Sequence, residues 1–158
     1  MADNTTRAET AEANDDLVGR FLSFYVGDVL YGVELLYVKE IIGLQQITRI
    51  PSLPDYITGI MNLRGKVIPI IDVRLKLGQE PRSYDEKTCA IITLIADMQV
   101  GLIVDSVAEV ISSGQALKLL PPEMPASGEN YIHSIMHLDN KVVLCLDCNK
   151  FFSADLCS

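Results

Sequence analysis

FLSFYVGDVLYGVELLYVKEII, residues 21–42, recurs 69 positions later as AIITLIADMQVGLIVDSVAEVI, residues 90–111. Asp28 falls on Asp97, Gly32 on Gly101, Val38 on Val107, Glu40 on Glu109 and Ile42 on Ile111. At an offset of 75, DYITGIMNLRGKVIPIIDV (55–73) lies over NYIHSIMHLDNKVVLCLDC (130–148). Tyr56, Ile57, Ile60, Met61, Leu63, Lys66, Val67 and Asp72 all meet their own kind. The six extra residues fall in the Pro/Gly/Ser-rich stretch between Pro121 and Asn130. Turns, glycines and charges recur in one order, so one supersecondary unit occurs twice. A unit this small is marginal alone, and the two halves are expected to share an interface.

Each copy reads as short strands. Phe21–Val26 stops at Gly27-Asp28, a hairpin signal, and Val29–Val33 follows. Val38–Ile42, Val67–Ile71 and Cys89–Ile95 are further apolar or β-branched runs. Strands of this length with turn signals between them predict an all-β barrel or sandwich with little helix. Pro69 inside a run predicts an edge or a bulge. Pro54–Thr58 is a candidate for one helical turn, with a proline placed to start it, and residues 149–156 for a short closing helix.

The chain has 158 residues, 49% hydrophobic and 22% charged, with a net charge of −8. Residues 1–16 hold five acids, one base and no bulky apolar residue after Met1, and are expected to be a disordered acidic tail. The body, 17–156, is expected to be one domain of two repeat-related barrels, near 17–86 and 87–152, open to strand exchange. Residues 17–87 carry nine bases and eight acids; residues 88–158 carry three bases and eight acids. The acidity argues against nucleic acid as a partner. No apolar run approaches the ~18 residues of a membrane helix, so direct membrane insertion is not expected. The first residues lack the apolar core of a secretory signal. Four cysteines without framework spacing read as reduced thiols in a cytoplasmic protein.

Few residues invite chemistry. Cys145-Leu-Asp-Cys148 matches C-x-x-C, but the other copy has Ile70 and Val73 there. On a strand, residues three apart face opposite sides, so buried apolar thiols are expected and a metal site is not. His133 and His137 would stand roughly 13 Å apart on a strand, too far to share an ion. Asp72 and Asp147 are repeat-equivalent, which suits a structural role at strand ends. There is no phosphate-cradling glycine loop and no nucleophile elbow. An enzyme is not expected, nor a cofactor.

The copies diverge at one turn. Asn62-Leu-Arg-Gly65 becomes His137-Leu-Asp-Asn140. Both can turn a hairpin. One presents a guanidinium, a rigid fork suited to a partner's carboxylate or carbonyls; the other presents a carboxylate. Glu40 is a plausible second polar contact beside Arg64.

At these residues the sequence resembles the CheW coupling-protein family of bacterial chemotaxis. The resemblance rests on Tyr31-Gly-Val-Glu34, Val38-Lys-Glu-Ile41, Arg49-Ile-Pro51, Gly59-Ile-Met-Asn-Leu-Arg-Gly65, Val67–Arg74 and Val100–Val107, and runs from Phe21 to about Phe152. It implies two intimately joined five-stranded SH3-like barrels. It further implies a non-enzymatic adaptor between the cytoplasmic tips of chemoreceptors (methyl-accepting chemotaxis proteins) and the regulatory domain of the histidine kinase CheA. Recruitment to membrane-associated receptor arrays would follow. Carried over by motif, the receptor-facing residues are Val38, Glu40, Gly59, Asn62 and Arg64, with Gly101 and Val107. Where members usually show a glycine, the second copy has Ser134. The alternatives are the same adaptor chemistry in pilus motility or gene regulation, and a small-ligand-binding β-barrel.

Overall fold

The computed structural model describes residues 18–112, 117–119 and 131–151. The expected acidic tail, the Pro/Gly/Ser-rich insertion and the end of the proposed closing helix lie outside the described residues. The strands are β1 (Arg20–Val26), β2 (Val29–Glu34), β3 (Val38–Gly43), β4 (Ile47–Thr48), β5 (Ile57–Leu63) and β6 (Lys66–Asp72). The second copy supplies β7 (Cys89–Ile95), β8 (Met98–Val104), β9 (Ser106–Ser112), β10 (Leu117–Leu119), β11 (Ile132–Leu138) and β12 (Lys141–Leu146). Helix is confined, among the described residues, to a 3-10 turn at Leu35–Tyr37, α1 (Val73–Lys76) and a turn over residues 148–151. No helix among the described residues is long and apolar enough to cross a membrane.

Two six-stranded sheets form, in the orders β10-β11-β12-β2-β1-β9 and β4-β5-β6-β8-β7-β3. Replacing each strand by its repeat equivalent converts one order into the other. Each sheet therefore takes four strands from one copy and a hairpin from the other: β7–β8 joins β3–β6, and β1–β2 joins β9–β12. The compact units interleave along the chain and divide the β1–β2 hairpin between them. Among the described residues, one comprises 18–23, Gly32–Leu36, 109–112, 117–119 and 131–151, the other Phe24–Tyr31 and Tyr37–Ala108.

The expected runs all appear as strands, and Gly27 turns the first hairpin at φ 64°. The second sheet is built on Met61, Leu63, Ile68, Ile70, Ala90, Ile92 and Ile103, all buried. Burying one such side chain contributes about 1.5–3 kcal/mol, so this face carries the fold. Pro69 lies in β6, between β5 and β8 and not at the sheet's edge. It is tolerated because the parallel ladder to β8 spans only Ile70↔Gly101 to Asp72↔Ile103 and leaves Pro69 unpaired on that side.

Pro54–Thr58 does not form the expected helical turn. Ile57 N–H donates to the Pro54 carbonyl at 3.0 Å, and β5 begins at once. The repeat explains why: alternation from Ile57 onward buries every second side chain against the core, and that burial overrides the local proline signal. Asp72 and Asp147 do serve at strand ends. Asp72 Oδ1 accepts from Arg74 N at 3.0 Å, and Asp147 Oδ1 accepts from Asn149 N and Lys150 N at 3.1 and 3.2 Å. Each caps a short helical turn.

Asp105 fixes the tip of the β1–β2 hairpin. Its Oδ2 accepts from Gly27 N at 2.6 Å, from Arg82 Nη1 at 3.1 Å and from Arg74 Nη2. The two guanidiniums and one backbone amide make charge-assisted bonds on a carboxylate only 21% exposed.

Candidate functional site

The divergent turn presents an ordered charged group to solvent. Leu63 and Lys66 close the β5–β6 ladder, leaving Arg64 and Gly65 as a two-residue loop. Both have positive φ, 51° and 83°, the pattern of a type I′ turn, whose twist matches that of the strands it joins. Gly65 accepts this freely, whereas arginine in the left-handed region is uncommon. Asn62 supports it from the side: its Oδ1 accepts from Gly65 N at 3.1 Å.

Arg64 reaches from this turn to β3, at the far edge of the same sheet. Its Nη1 donates to Glu40 Oε2 at 2.8 Å and its Nη2 to Glu40 Oε1 at 2.9 Å, a two-pronged pair. The Arg64 side chain is 70% exposed and that of Glu40 23%. The hydrogen bonds from Arg64 hold the Glu40 carboxyl below the usual carboxylate range, against a smaller opposing effect of desolvation, with the charges of Arg64 and Lys39 adding to the lowering. The same bonds raise the arginine. An exposed pair of this kind adds little to stability. Its effect is to hold a flexible side chain in one orientation, with three of the five guanidinium N–H donors left over.

Of the residues expected at a partner-facing site, Glu40, Asn62 and Arg64 come together here. Val38 lies on β3 two positions before Glu40, half-buried, beyond a bulge that shifts the register to β7. Val107 lies on β9, also half-buried. Gly59 and Gly101 are a different matter, since both are buried. A Cβ on Gly59 (φ 153°) would overlap the Thr48 carbonyl, and one on Gly101 would overlap Ile70 Cδ1 and come within 3.3 Å of Ile92 Cδ1. Their absent side chains permit close approach within the sheet and offer a partner no surface. A motif match cannot separate a contact position from a packing position; the neighbours do.

The second copy builds the corresponding turn with Asp139 at the same φ, 51°. Its Glu109 is paired instead with Lys141, at 3.4 Å by one oxygen. The repeat alignment holds this partnership in view, since Lys141 falls on Lys66, but alignment alone does not say which base an acid will choose.

The remaining candidates are structural. Cys145 is buried in β12, and Cys148 is buried in the turn beyond it. The strand ends at Leu146, so the argument from opposite strand faces covers only the first thiol. Cys148 is pushed up to about 12 by burial and then by Glu34 and Asp147, which keeps it a neutral thiol. His133 and His137 both lie on β11 and are exposed.

Comparison with known proteins agrees with this architecture. A family model described as a CheW-like domain matches residues 20–156. The chain is 35% identical over 150 residues to a chemotaxis protein CheW of Klebsiella aerogenes, covering 94% of this chain and 90% of that one. It is 34% identical over 140 residues to a chemotaxis protein CheW of Treponema pallidum, covering 85% and 82%. Among solved structures, the scaffolding protein TtCheW of Thermoanaerobacter tengcongensis superposes with a TM-score of 0.74 at 32% identity, over 82% of this chain and 88% of that one.

Proposed function

The chain belongs to the CheW family, and on that premise we propose that it couples the cytoplasmic tips of chemoreceptors to the histidine kinase CheA. The role of the family is a scaffold in chemotaxis signalling; the two named partners are our reading. The observation that carries it is the Arg64 fork, exposed on a rigid two-residue turn and held in plane by Glu40. A side chain ordered before contact loses less entropy on binding than a free one. The three donors not used by Glu40 can engage carbonyl, amide or carboxylate oxygens of a receptor helix, with Val38 adding apolar contact. Asn62 acts by holding the turn, and Gly59 and Gly101 by letting the sheet close beneath it.

Such an adaptor works by binding alone. A receptor rearrangement changes kinase output only through a difference in affinity of the adaptor for the two receptor states. Modest single contacts suffice, because an array presents many at once. The protein would act in the cytoplasm, recruited to membrane-associated arrays.

The test is reconstitution of the full chain with receptor cytoplasmic fragments and CheA, scored by co-sedimentation and kinase activity. Arg64→Asp should abolish receptor-dependent kinase activation and leave the melting transition where it lies in the parent. If the variant couples as well as the parent, or if it unfolds, the role given to Arg64 is wrong.

A further inference from the structure

A half-open cavity of about 850 Å³ lies in the barrel of the second sheet, lined by Arg49–Asp55, Ile57, Thr58, Asp72, Leu75 and Pro81–Tyr84. It sits at the start of β5, whereas Arg64 follows its end, seven residues and roughly 20 Å away. Nothing in the adaptor role described above uses it. We propose that this cavity is a second docking site, which takes an extended segment of a partner protein bearing a bulky apolar residue between an acid and a base.

Three observations define that occupant. The walls carry a stiff apolar part: Pro51, Pro54 and Pro81 are among them, and Ile50 and Leu53 remain 39% and 42% exposed. Such walls select apolar side chains and do not collapse when empty. Next, β4 ends at the cavity's lip and stands at the outer end of its sheet, paired only with β5 among the described strands. A strand at a sheet's end is the usual place for an extended peptide to join. Third, the rim is dipolar. Arg49 follows β4 directly, Asp55 stands on the opposite lip, and neither makes a hydrogen bond or ion pair among the described residues. The other charged groups of the lining are engaged, Asp72 by Tyr84 Oη at 2.8 Å and Arg82 by Asp105 at 3.1 Å. The free charges therefore ask for an acid at one end of the incoming segment and a base at the other.

The probe is the capped peptide acetyl-Glu-Val-Leu-Val-Lys-amide, titrated into the isotopically labelled full chain and followed by backbone amide shifts. Saturable shifts confined to residues 47–58, 72–75 and 81–84 are expected. Arg49→Glu and Leu53→Asp should each weaken binding about tenfold, with the melting transition unchanged. A peptide with Gln at both ends should be weakened similarly. The proposal is overturned by shifts elsewhere, including at the Arg64 turn, by the absence of saturable shifts, or by variants that bind like the parent. Equal shifts with acetyl-leucinamide would make this a cavity for small apolar molecules and would also overturn it. Arg64→Asp should leave peptide binding unaffected, so failure here and failure of receptor coupling are distinguishable.

Discussion

The two copies of the repeat fold their β5–β6 and β11–β12 hairpins alike and present opposite charges at the tip. Arg64 and Asp139 share φ 51°, and each copy carries an acid at the matching position, Glu40 or Glu109. The first copy joins acid to turn by two short bonds, 2.8 and 2.9 Å. The second joins its acid to Lys141 by one longer contact, at 3.4 Å, and leaves Asp139 to solvent. Backbone geometry is thus inherited by both halves, while the polar surface built on it is not. Duplicated architecture sets where a contact can be made; a single side chain decides whether it is.

The most severe way to break the comparison is to make the first turn like the second. Aspartate is more at home in the left-handed region than arginine, so Arg64→Asp spares the fold while placing a carboxylate beside Glu40. All of its cost should fall on receptor coupling. A large effect on stability is expected one bulge away, where Gly59 corresponds to Ser134. Both follow a register shift, between Ile57 and Gly59 in β5 and between Ile132 and Ser134 in β11. The serine is buried in its own strand, but a Cβ on Gly59 meets the Thr48 carbonyl. Gly59→Ser should cost about 3 kcal/mol by urea denaturation, towards the upper end of ordinary substitutions. A loss under about 1 kcal/mol would mean that β4 can move aside.

Strands, repeat and divergent turn are legible in the sequence because period-2 burial and turn chemistry are local signals. Exchange of the β1–β2 and β7–β8 hairpins is open in principle but not fixed, since each hairpin fits either sheet by pattern alone. Glu40 and Arg64 can be placed near one another from the repeat; their two-pronged bond cannot, because it closes across a sheet between partners 24 positions apart. Gly59 and Gly101 read as contact positions by motif for the opposite reason. A residue without a side chain carries no pattern, and only the atoms around it tell contact from packing. The cavity beside β4 is not legible as a cavity: Arg49-Ile-Pro51 stands out as a motif, but the three segments that enclose the space are brought together only by the fold.

The titration of Glu40 sharpens the contrast further. Its folded value is depressed by Arg64, so the pair's contribution is present above the unfolded carboxylate value, about 4.3, and is lost as pH falls through the lower folded value. Carboxyl carbon shifts should show a Glu40 midpoint below that reference. Arg64→Gln should return it to the ordinary range; a midpoint that stays depressed would assign the effect to Lys39.

The smallest effect comes from the reverse exchange, Asp139→Arg. The turn already has the φ that Arg64 adopts, and Glu109 stands where Glu40 stands in the other copy, so a second fork should form. Lys141 would be displaced from Glu109, exchanging one exposed pair for another, and the change in stability should stay within about 0.5 kcal/mol. The informative readout is the N–H signal of the introduced guanidinium: a slowed, shifted resonance that disappears when Glu109→Gln is added would show the second copy competent to build the same fork. If the guanidinium stays free, acid and turn are not enough, and some further feature of the first copy, such as the Asn62 bond to Gly65 that His137 and Asn140 replace, must be holding the arginine in plane.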